Sequence, residues 1–143
     1  MTKITQLVID SSVIIKWLNK VEEKYISQAD KLLDKLKNGE IHISVPYLVK
    51  FEIANALLKG KKLSLSEAAD ALDAFNKLPL MYLDLDLELM ITSYEIAEKY
   101  NITFYDASFI ALAYKLPALL ITDNPKHQKK FEKVKVIPLK DYR

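Results

Sequence analysis

The stretch Leu7-Val8-Ile9-Asp10-Ser11-Ser12 is the part of the sequence from which we infer the fold. Three consecutive aliphatic residues predict a short strand that is buried on both faces, as strands of parallel sheets usually are. The strand is expected to end at Asp10. Ser11 or Ser12 is then predicted to cap a helix that runs to Trp17.

The rest of the chain alternates between predicted strands and helices. Strands are expected over residues 41–45, 80–85, 118–122 and 134–139, and helices over residues 22–37, 46–59, 86–100, 106–116 and 125–133, with one more opened by a capping box at Ser64. Strands separated by helices need crossover connections, which give a parallel sheet covered on both faces. We therefore predict a three-layer α/β/α fold with a mostly parallel central sheet, forming a single domain over residues 1–143.

Composition excludes several kinds of functional site. The chain of 143 residues has no Cys, which removes disulfides, zinc–thiolate sites and thiol nucleophiles, and two Gly are too few for a glycine-rich phosphate loop. A net charge of +2 is too small to indicate nucleic-acid binding by itself. No signal peptide or membrane span is recognisable, so we expect a soluble cytoplasmic protein that does not engage a membrane.

Three acidic residues stand at predicted element boundaries. Asp10 and Asp123 follow apolar strands, and Asp106 opens the most apolar helix of the chain. Each can be explained as a helix cap or a turn residue. In parallel sheets, however, functional clefts lie beyond the carboxyl ends of the strands, where Asp10 and Asp123 are expected.

Glu52 belongs to a helix with very little polar surface. It shares one narrow stripe with Asn55 and Lys59, so the helix is expected to be mostly buried. The stripe either faces solvent or lines a polar cleft. Converging carboxylates in a chain without Cys select hard cations such as Mg²⁺ or Mn²⁺, which activate water for phosphodiester hydrolysis.

Four segments together resemble the PIN-domain ribonucleases, and in particular the small VapC-type toxins of toxin–antitoxin pairs. They are LVIDSSVIIKW (7–17), FEIANAL (51–57), YDASFIALAYK (105–115) and LLITDNPKHQKKF (119–131). The resemblance covers nearly the whole chain. It implies a Mg²⁺- or Mn²⁺-dependent endoribonuclease acting on RNA, a homodimer, and a cognate antitoxin protein that masks the site.

The same resemblance assigns roles to individual residues. Asp10, Glu52 and Asp106 match the acidic positions of the family, which are catalytic and bind the metal. The fourth acidic position is Asp123 or, by strict counting from Thr122, Asn124. Ser11, Ser12, Asn55 and Thr122 match or flank supporting polar positions.

Two lysine clusters are candidates for contact with the RNA backbone. They comprise Lys59, Lys61 and Lys62 after the Glu52 stripe, and Lys126, Lys129 and Lys130 after Asp123. A solvated helix end is the alternative for each cluster.

The sequence is also compatible with other functions. A PIN-like nuclease that processes RNA outside a toxin–antitoxin pair would have the same acids. The Asp84-x-Asp86 pair imitates a phosphotransfer motif of the receiver or DxD type, although a strand end followed by a helix cap explains it as well. A non-catalytic RNA-binding module is the third alternative.

Overall fold

The five strands found among the residues that the structure describes lie in one parallel sheet, which confirms the predicted fold class. A computed structural model describes residues 4–126, 128 and 131–143. The strands run in the order β3-β2-β1-β4-β5, with β1 at Thr5–Ile9, β2 at Ile41–Pro46, β3 at Met81–Leu83, β4 at Leu119–Thr122 and β5 at Val136–Pro138.

The central position of β1 explains its uninterrupted apolar sequence. Leu7 is in register with Ile43 of β2 on one side and Leu119 of β4 on the other. Val8 and Ile9 are fully buried because the sheet is covered by helices. The carboxyl ends of β1 and β4 therefore lie side by side at one edge of the sheet.

In the described ranges, six α-helices connect and cover the strands. They are α1 (Ser11–Leu18), α2 (Ile26–Lys37), α3 (Leu48–Asn55), α4 (Leu65–Asn76), α5 (Leu87–Tyr100) and α6 (Phe104–Lys115). The helix α6 packs on the central strands and in turn supports α5, while α1 packs against α2 and α3. In the described part of the chain, no helix combines the length and apolarity needed to span a membrane.

Several predicted boundaries were wrong, for identifiable reasons. The cap of α1 is Asp10, whose carboxylate accepts from the Ser12 N–H, rather than a serine. The helix α2 begins at Ile26 because Tyr25 before it has a left-handed backbone. Pro46 is the last residue of β2, where it pairs with Leu83 of β3, rather than part of the first turn of the next helix. Of the predicted helix over 125–133, residues 127, 129 and 130 lie outside the described part of the chain; Gln128 is 3₁₀-helical, and residues 125–126 and 132–133 form turns.

The helix that follows β2 begins two residues later and is more exposed than predicted. The backbone of Ala56–Gly60 widens into a π-helical turn after α3. Val49 and Ile53 are buried, but Phe51 is 76% exposed and Leu58 is 60% exposed. The expectation of a mostly buried helix was wrong, because a scarcity of polar residues does not prevent an apolar face from lying at the surface.

Candidate functional site

Asp10 is held at the carboxyl end of β1 by two hydroxyl groups. One carboxylate oxygen accepts from the N–H of Ser12, at 3.1 Å, and from its hydroxyl. The other accepts from the Thr122 hydroxyl at 2.6 Å. The side chain of Thr122 is fully buried. The residues after Asp10 and at the end of β4 thus fix the direction in which this carboxylate points.

The environment of Asp10 disfavours its charged form. Burial raises its pKa to about 6, and the nearby carboxylate of Asp106 contributes to the rise. The hydrogen bonds from Ser12 and Thr122 act in the opposite direction, because they stabilise the ionised form. Asp10 is therefore a carboxylate whose negative charge lacks full compensation.

Glu52 on α3 has a similar environment. Burial raises its pKa to about 7, and repulsion from Asp10 and then from Asp106 adds to the rise, while the hydroxyl of Ser11 lowers it. Its Oε1 is buried without a hydrogen-bond partner among the described residues. A buried, unpartnered carboxylate oxygen is costly, so it indicates a place where a proton or a cation is needed.

Asp106 lies in the first turn of α6, and its carboxylate does not cap that helix. The cap is Thr103, whose hydroxyl accepts from the Asp106 N–H at 3.0 Å. The carboxylate of Asp106 instead acts electrostatically on Asp10 and Glu52. The structure therefore brings three of the predicted acids, Asp10, Glu52 and Asp106, into one electrostatic group.

Asp123 is bound to a lysine that the sequence analysis did not single out. Its Oδ2 lies 2.9 Å from the Nζ of Lys16, which is 1% exposed. The N–H of Asp123 donates to the hydroxyl of Ser12 at 3.0 Å. Asn124 is exposed, and its N–H donates to the Thr122 hydroxyl at 3.0 Å. A single lysine among the aliphatic residues of α1 was the only sequence signal for Lys16.

Lys16 also binds Glu23, in the loop between α1 and α2, at 2.9 Å. Burial alone would lower the pKa of Lys16, but hydrogen bonds to Asp123 and Glu23 raise it above its ordinary value. Burial would likewise raise the pKa of Glu23, but Lys61 and Lys16 hold it below its usual range. The ion pair between Lys16 and Glu23 therefore favours the ionised form of both residues.

The lysine candidates divide into two groups in the structure. Lys59, Lys62 and Lys126 are exposed. Lys61 is largely enclosed and lies 2.6 Å from Glu23, which differs from the expected surface position. Asn55 is exposed on α3. Lys129 and Lys130 lie outside the described residues.

The Asp84-x-Asp86 pair is accounted for by local structure. Asp86 caps α5 by accepting from the Leu89 N–H at 2.9 Å and lies 3.3 Å from Lys115. Asp84 accepts from the N–H of Leu85 at 2.9 Å. These are the roles of a strand end and a helix cap, which the sequence also permitted.

The donor atoms of the acidic group suit a divalent cation. Carboxylate oxygens are suitable ligands for Mg²⁺ or Mn²⁺, and the unpartnered Oε1 of Glu52 and the mutual repulsion favour a cation. Within residues 4–126, 128 and 131–143, no three acidic or histidine side chains already form a metal-binding cluster. Binding of a cation would therefore require side-chain adjustment.

Comparisons with known proteins agree with this architecture. VapBC2 from Rickettsia felis, solved bound to a DNA fragment from its promoter, matches with a TM-score of 0.72 and 16% identity over 94% of this chain and 98% of that chain. PAE2754 from Pyrobaculum aerophilum matches with a TM-score of 0.67 and 22% identity over 92% and 89% of the two chains.

A third solved structure is that of VapC20 from Mycobacterium tuberculosis, described as a toxin that cleaves the sarcin–ricin loop. It matches with a TM-score of 0.67 and 14% identity over 90% of this chain and 98% of that chain. A search of curated proteins by sequence finds no match. The sequence model of the PIN domain matches residues 7–134, which include all the acids described above. With most of its length matched by this model and with the fold of VapC proteins, the chain belongs to the PIN domain family.

Proposed function

We propose that this protein is a metal-dependent endoribonuclease that hydrolyses RNA phosphodiester bonds, and that it is the toxin of a VapBC-type toxin–antitoxin pair. The observation that carries the proposal is the group of Asp10, Glu52 and Asp106 at the carboxyl edge of a PIN-domain sheet. Burial, with a smaller contribution from mutual repulsion, raises the pKa of Asp10 to about 6 and that of Glu52 to about 7. Strongly perturbed acids that face one another are typical of functional sites.

Mg²⁺ or Mn²⁺ is the cation that this group would hold. Asp10, Glu52 and Asp106 would be its ligands, with a fourth oxygen from Asp123 or Asn124. When bound, such a cation lowers the pKa of a water molecule and offsets charge that develops on the phosphate. Metal binding displaces protons from its ligands, so a carboxyl with a pKa of about 7 would release its proton as the cation enters.

The polar residues around the acids have orienting roles. The hydroxyls of Ser12 and Thr122 hold both oxygens of Asp10, and the hydroxyl of Ser11 favours the ionised form of Glu52. Because Asp10 is already held at both oxygens, it has little side-chain entropy left to lose when a ligand binds. Asn55 lies at the end of α3, one helical turn beyond Glu52, as a further polar group.

The lysines supply the expected attraction for the RNA backbone. Lys59, Lys62 and Lys126 are exposed and follow Glu52 or Asp123 in the sequence. Lysine contacts to phosphates give binding that depends on salt and little on sequence. In the sequence, Lys129 and Lys130 extend the second cluster. The charge of Lys61 is instead paired with that of Glu23.

Cleavage assays test the nuclease. Residues 1–143, which we take to act as one PIN-like domain, should cleave structured RNA with Mg²⁺ or Mn²⁺, and a chelator should stop the reaction. Asp10→Asn and Asp106→Asn should abolish cleavage while circular dichroism stays unchanged. Full activity of both variants in pure protein would rule out the proposed site.

The partner distinguishes the toxin from its alternative, a PIN-like nuclease that processes RNA outside a toxin–antitoxin pair. Similar solved structures include VapBC complexes bound to DNA, which supports a protein antitoxin as partner. We propose that the protein is a homodimer and acts in the cytoplasm. Binding of this antitoxin would mask its site and stop cleavage. A neighbouring gene for a small DNA-binding protein whose product stops cleavage would support the toxin. Cleavage that no neighbouring gene product restrains would favour the alternative.

A further inference from the structure

Four charged side chains form a chain of alternating sign beside the acidic group. The Nζ of Lys16 lies 2.9 Å from Asp123 and 2.9 Å from Glu23, and it donates to the carbonyl of Lys24 at 2.8 Å. The second oxygen of Glu23 lies 2.6 Å from the Nζ of Lys61. We call Asp123, Lys16, Glu23 and Lys61 the ion-pair chain.

The ion-pair chain is enclosed rather than solvated. The side chain of Lys16 is 1% exposed, and those of Lys61, Glu23 and Asp123 are 13%, 18% and 26% exposed. All three ammonium protons of Lys16 have an oxygen acceptor. A lysine is kept ionised at this depth only by such partners, since removing one leaves an uncompensated buried charge.

Hydrogen bonds connect the ion-pair chain to Asp10. Lys16 fixes the carboxylate of Asp123. The backbone N–H of Asp123 donates to the Ser12 hydroxyl at 3.0 Å. The same hydroxyl binds Asp10, and Thr122, the residue before Asp123, binds the other oxygen of Asp10. Displacement of Asp123 would therefore disturb both groups that orient Asp10.

The two loops that contribute to the ion-pair chain have strained backbones. Glu22, which precedes Glu23, has a φ of 58°, and Tyr25, two residues after Glu23, has a φ of 59°. In the other loop, Lys62 follows Lys61 and has a φ of 55°. Residues other than glycine adopt positive φ only when surrounding contacts hold them there. The pairs made by Glu23 and Lys61 supply contacts of that kind.

We propose that Lys16 and Glu23 are positioning residues, and that Asp123 is the internal counter-ion of Lys16 rather than a ligand of the metal. Lys16 holds the segment after β4 against Asp10, and Glu23 with Lys61 holds Lys16. This inference rests on the proposed nuclease function, because it assigns one of two candidate fourth residues of that site. It leaves Asn124 as the candidate from this segment.

Mn²⁺ titration separates a counter-ion from a ligand. Calorimetry should show Mn²⁺ bound to Asp123→Asn within about threefold of the wild-type Kd, whereas Asp106→Asn should weaken it by about 10- to 100-fold or more. A loss for Asp123→Asn as large as that for Asp106→Asn would overturn the inference while leaving the proposed function intact.

Cleavage kinetics test the positioning role. Lys16→Met should lower kcat by about 10- to 100-fold with little change in the KM for RNA, because Lys16 is buried and does not reach the substrate. Asp123→Asn should cost less, since Lys16 keeps Glu23. The kcat of the Lys16→Met/Asp123→Asn double variant should rise from that of Lys16→Met towards that of Asp123→Asn, because the double variant has no unpaired aspartate. Multiplicative losses, or a change confined to KM, would overturn the inference.

Thermal unfolding gives a readout that does not depend on activity. The unfolding midpoints of Lys16→Met, Asp123→Asn and the double variant should be non-additive, as expected of groups in contact. Lys20→Met is the matched control, since Lys20 pairs with Asp30 at the surface at 3.0 Å, and it should change the midpoint less than Lys16→Met does and leave kcat unchanged. If the wild type cleaves no RNA, the proposed function fails, whereas additive midpoints would refute the pairing itself.

Discussion

The acidic group of Asp10, Glu52 and Asp106 and the ion-pair chain lie at the same edge of the sheet but treat carboxylates in opposite ways. In the acidic group, burial and like charge raise the pKa of Asp10 and Glu52. In the ion-pair chain, two lysines outweigh burial and hold the pKa of Glu23 below its usual range. The first arrangement leaves negative charge available to a cation, and the second has already neutralised it.

This difference shows that a count of acids does not define the site. Asp123 and Asp10 both follow an apolar strand, and their segments are linked through the Ser12 hydroxyl. Only Asp10 belongs to a group of mutually repelling carboxylates, because Asp123 has a lysine 2.9 Å away. The compensating cation of one region is built into the chain, while that of the other must be supplied from solution.

Asp10→Asn should produce the largest effect, because it removes a charge from the acidic group alone. We expect RNA cleavage to fall by about 1,000-fold or more, as for other residues that act directly in a reaction. The fold should survive since Asn also caps helices well. Single-turnover cleavage with Mn²⁺ measures the loss. A variant with wild-type rates would show that the acidic group is not the reacting site.

Lys16→Met should have the largest effect on stability, because it leaves Glu23 and Asp123 without their shared cation. The free energy of unfolding should fall by about 3 kcal/mol, as when one partner of a buried pair is removed. Lys20→Met should cost less than about 1 kcal/mol because its pair with Asp30 is exposed. Urea denaturation measures both values. Equal losses would mean that enclosure adds nothing to the ion-pair chain.

A pH titration should distinguish the two regions without altering the ion-pair chain. The folded pKa values of Asp10 and Glu52 lie above their ordinary values, so the folded state binds more protons and stability is lost as pH rises from about 4 to about 7. Relative to the Asp10→Asn/Glu52→Gln variant, the metal-free wild type should lose at least about 2 kcal/mol over this range, because each of the two pKa values lies more than two units above its ordinary value.

Denaturation at several pH values, with and without Mn²⁺, measures this pH dependence. Mn²⁺ should restore the stability of the wild type at pH 8 and not that of the double variant, which lacks the two ionisable ligands. Parallel pH profiles for the two proteins would show that Asp10 and Glu52 titrate at ordinary pKa values.

Neutralising the exposed lysines should have the smallest effect of the four changes. Lys62→Gln/Lys126→Gln should weaken RNA binding by about tenfold or less and reduce the dependence of log K on log salt by about one per lost phosphate contact. Cleavage at saturating RNA should be unchanged, because neither residue belongs to the acidic group or the ion-pair chain. Fluorescence anisotropy at several salt concentrations tests this. An unchanged salt slope would place the RNA elsewhere.

Local sequence patterns were sufficient for much of the fold. The apolar runs at residues 7–9 and 118–122 and the capping box at Ser64 correspond to β1, β4 and the start of α4. Strands separated by helices implied parallel pairing. These features follow from backbone periodicity and from hydrogen bonds between neighbours in sequence, so a single chain encodes them directly.

The sequence by itself determined the order of elements and the location of Asp10 at the end of a buried strand. Because the chain has no Cys, it also limited a metal site to ligands other than thiolates. Only the tertiary structure decided which carboxylates face one another and which one faces Lys16. Segments far apart in sequence meet at the sheet edge, and whether a charge there is repelled or paired depends on distances of a few ångströms. Periodicity and capping carry no information on such distances, because the Coulomb energy depends on separation in space and on burial rather than on position along the chain.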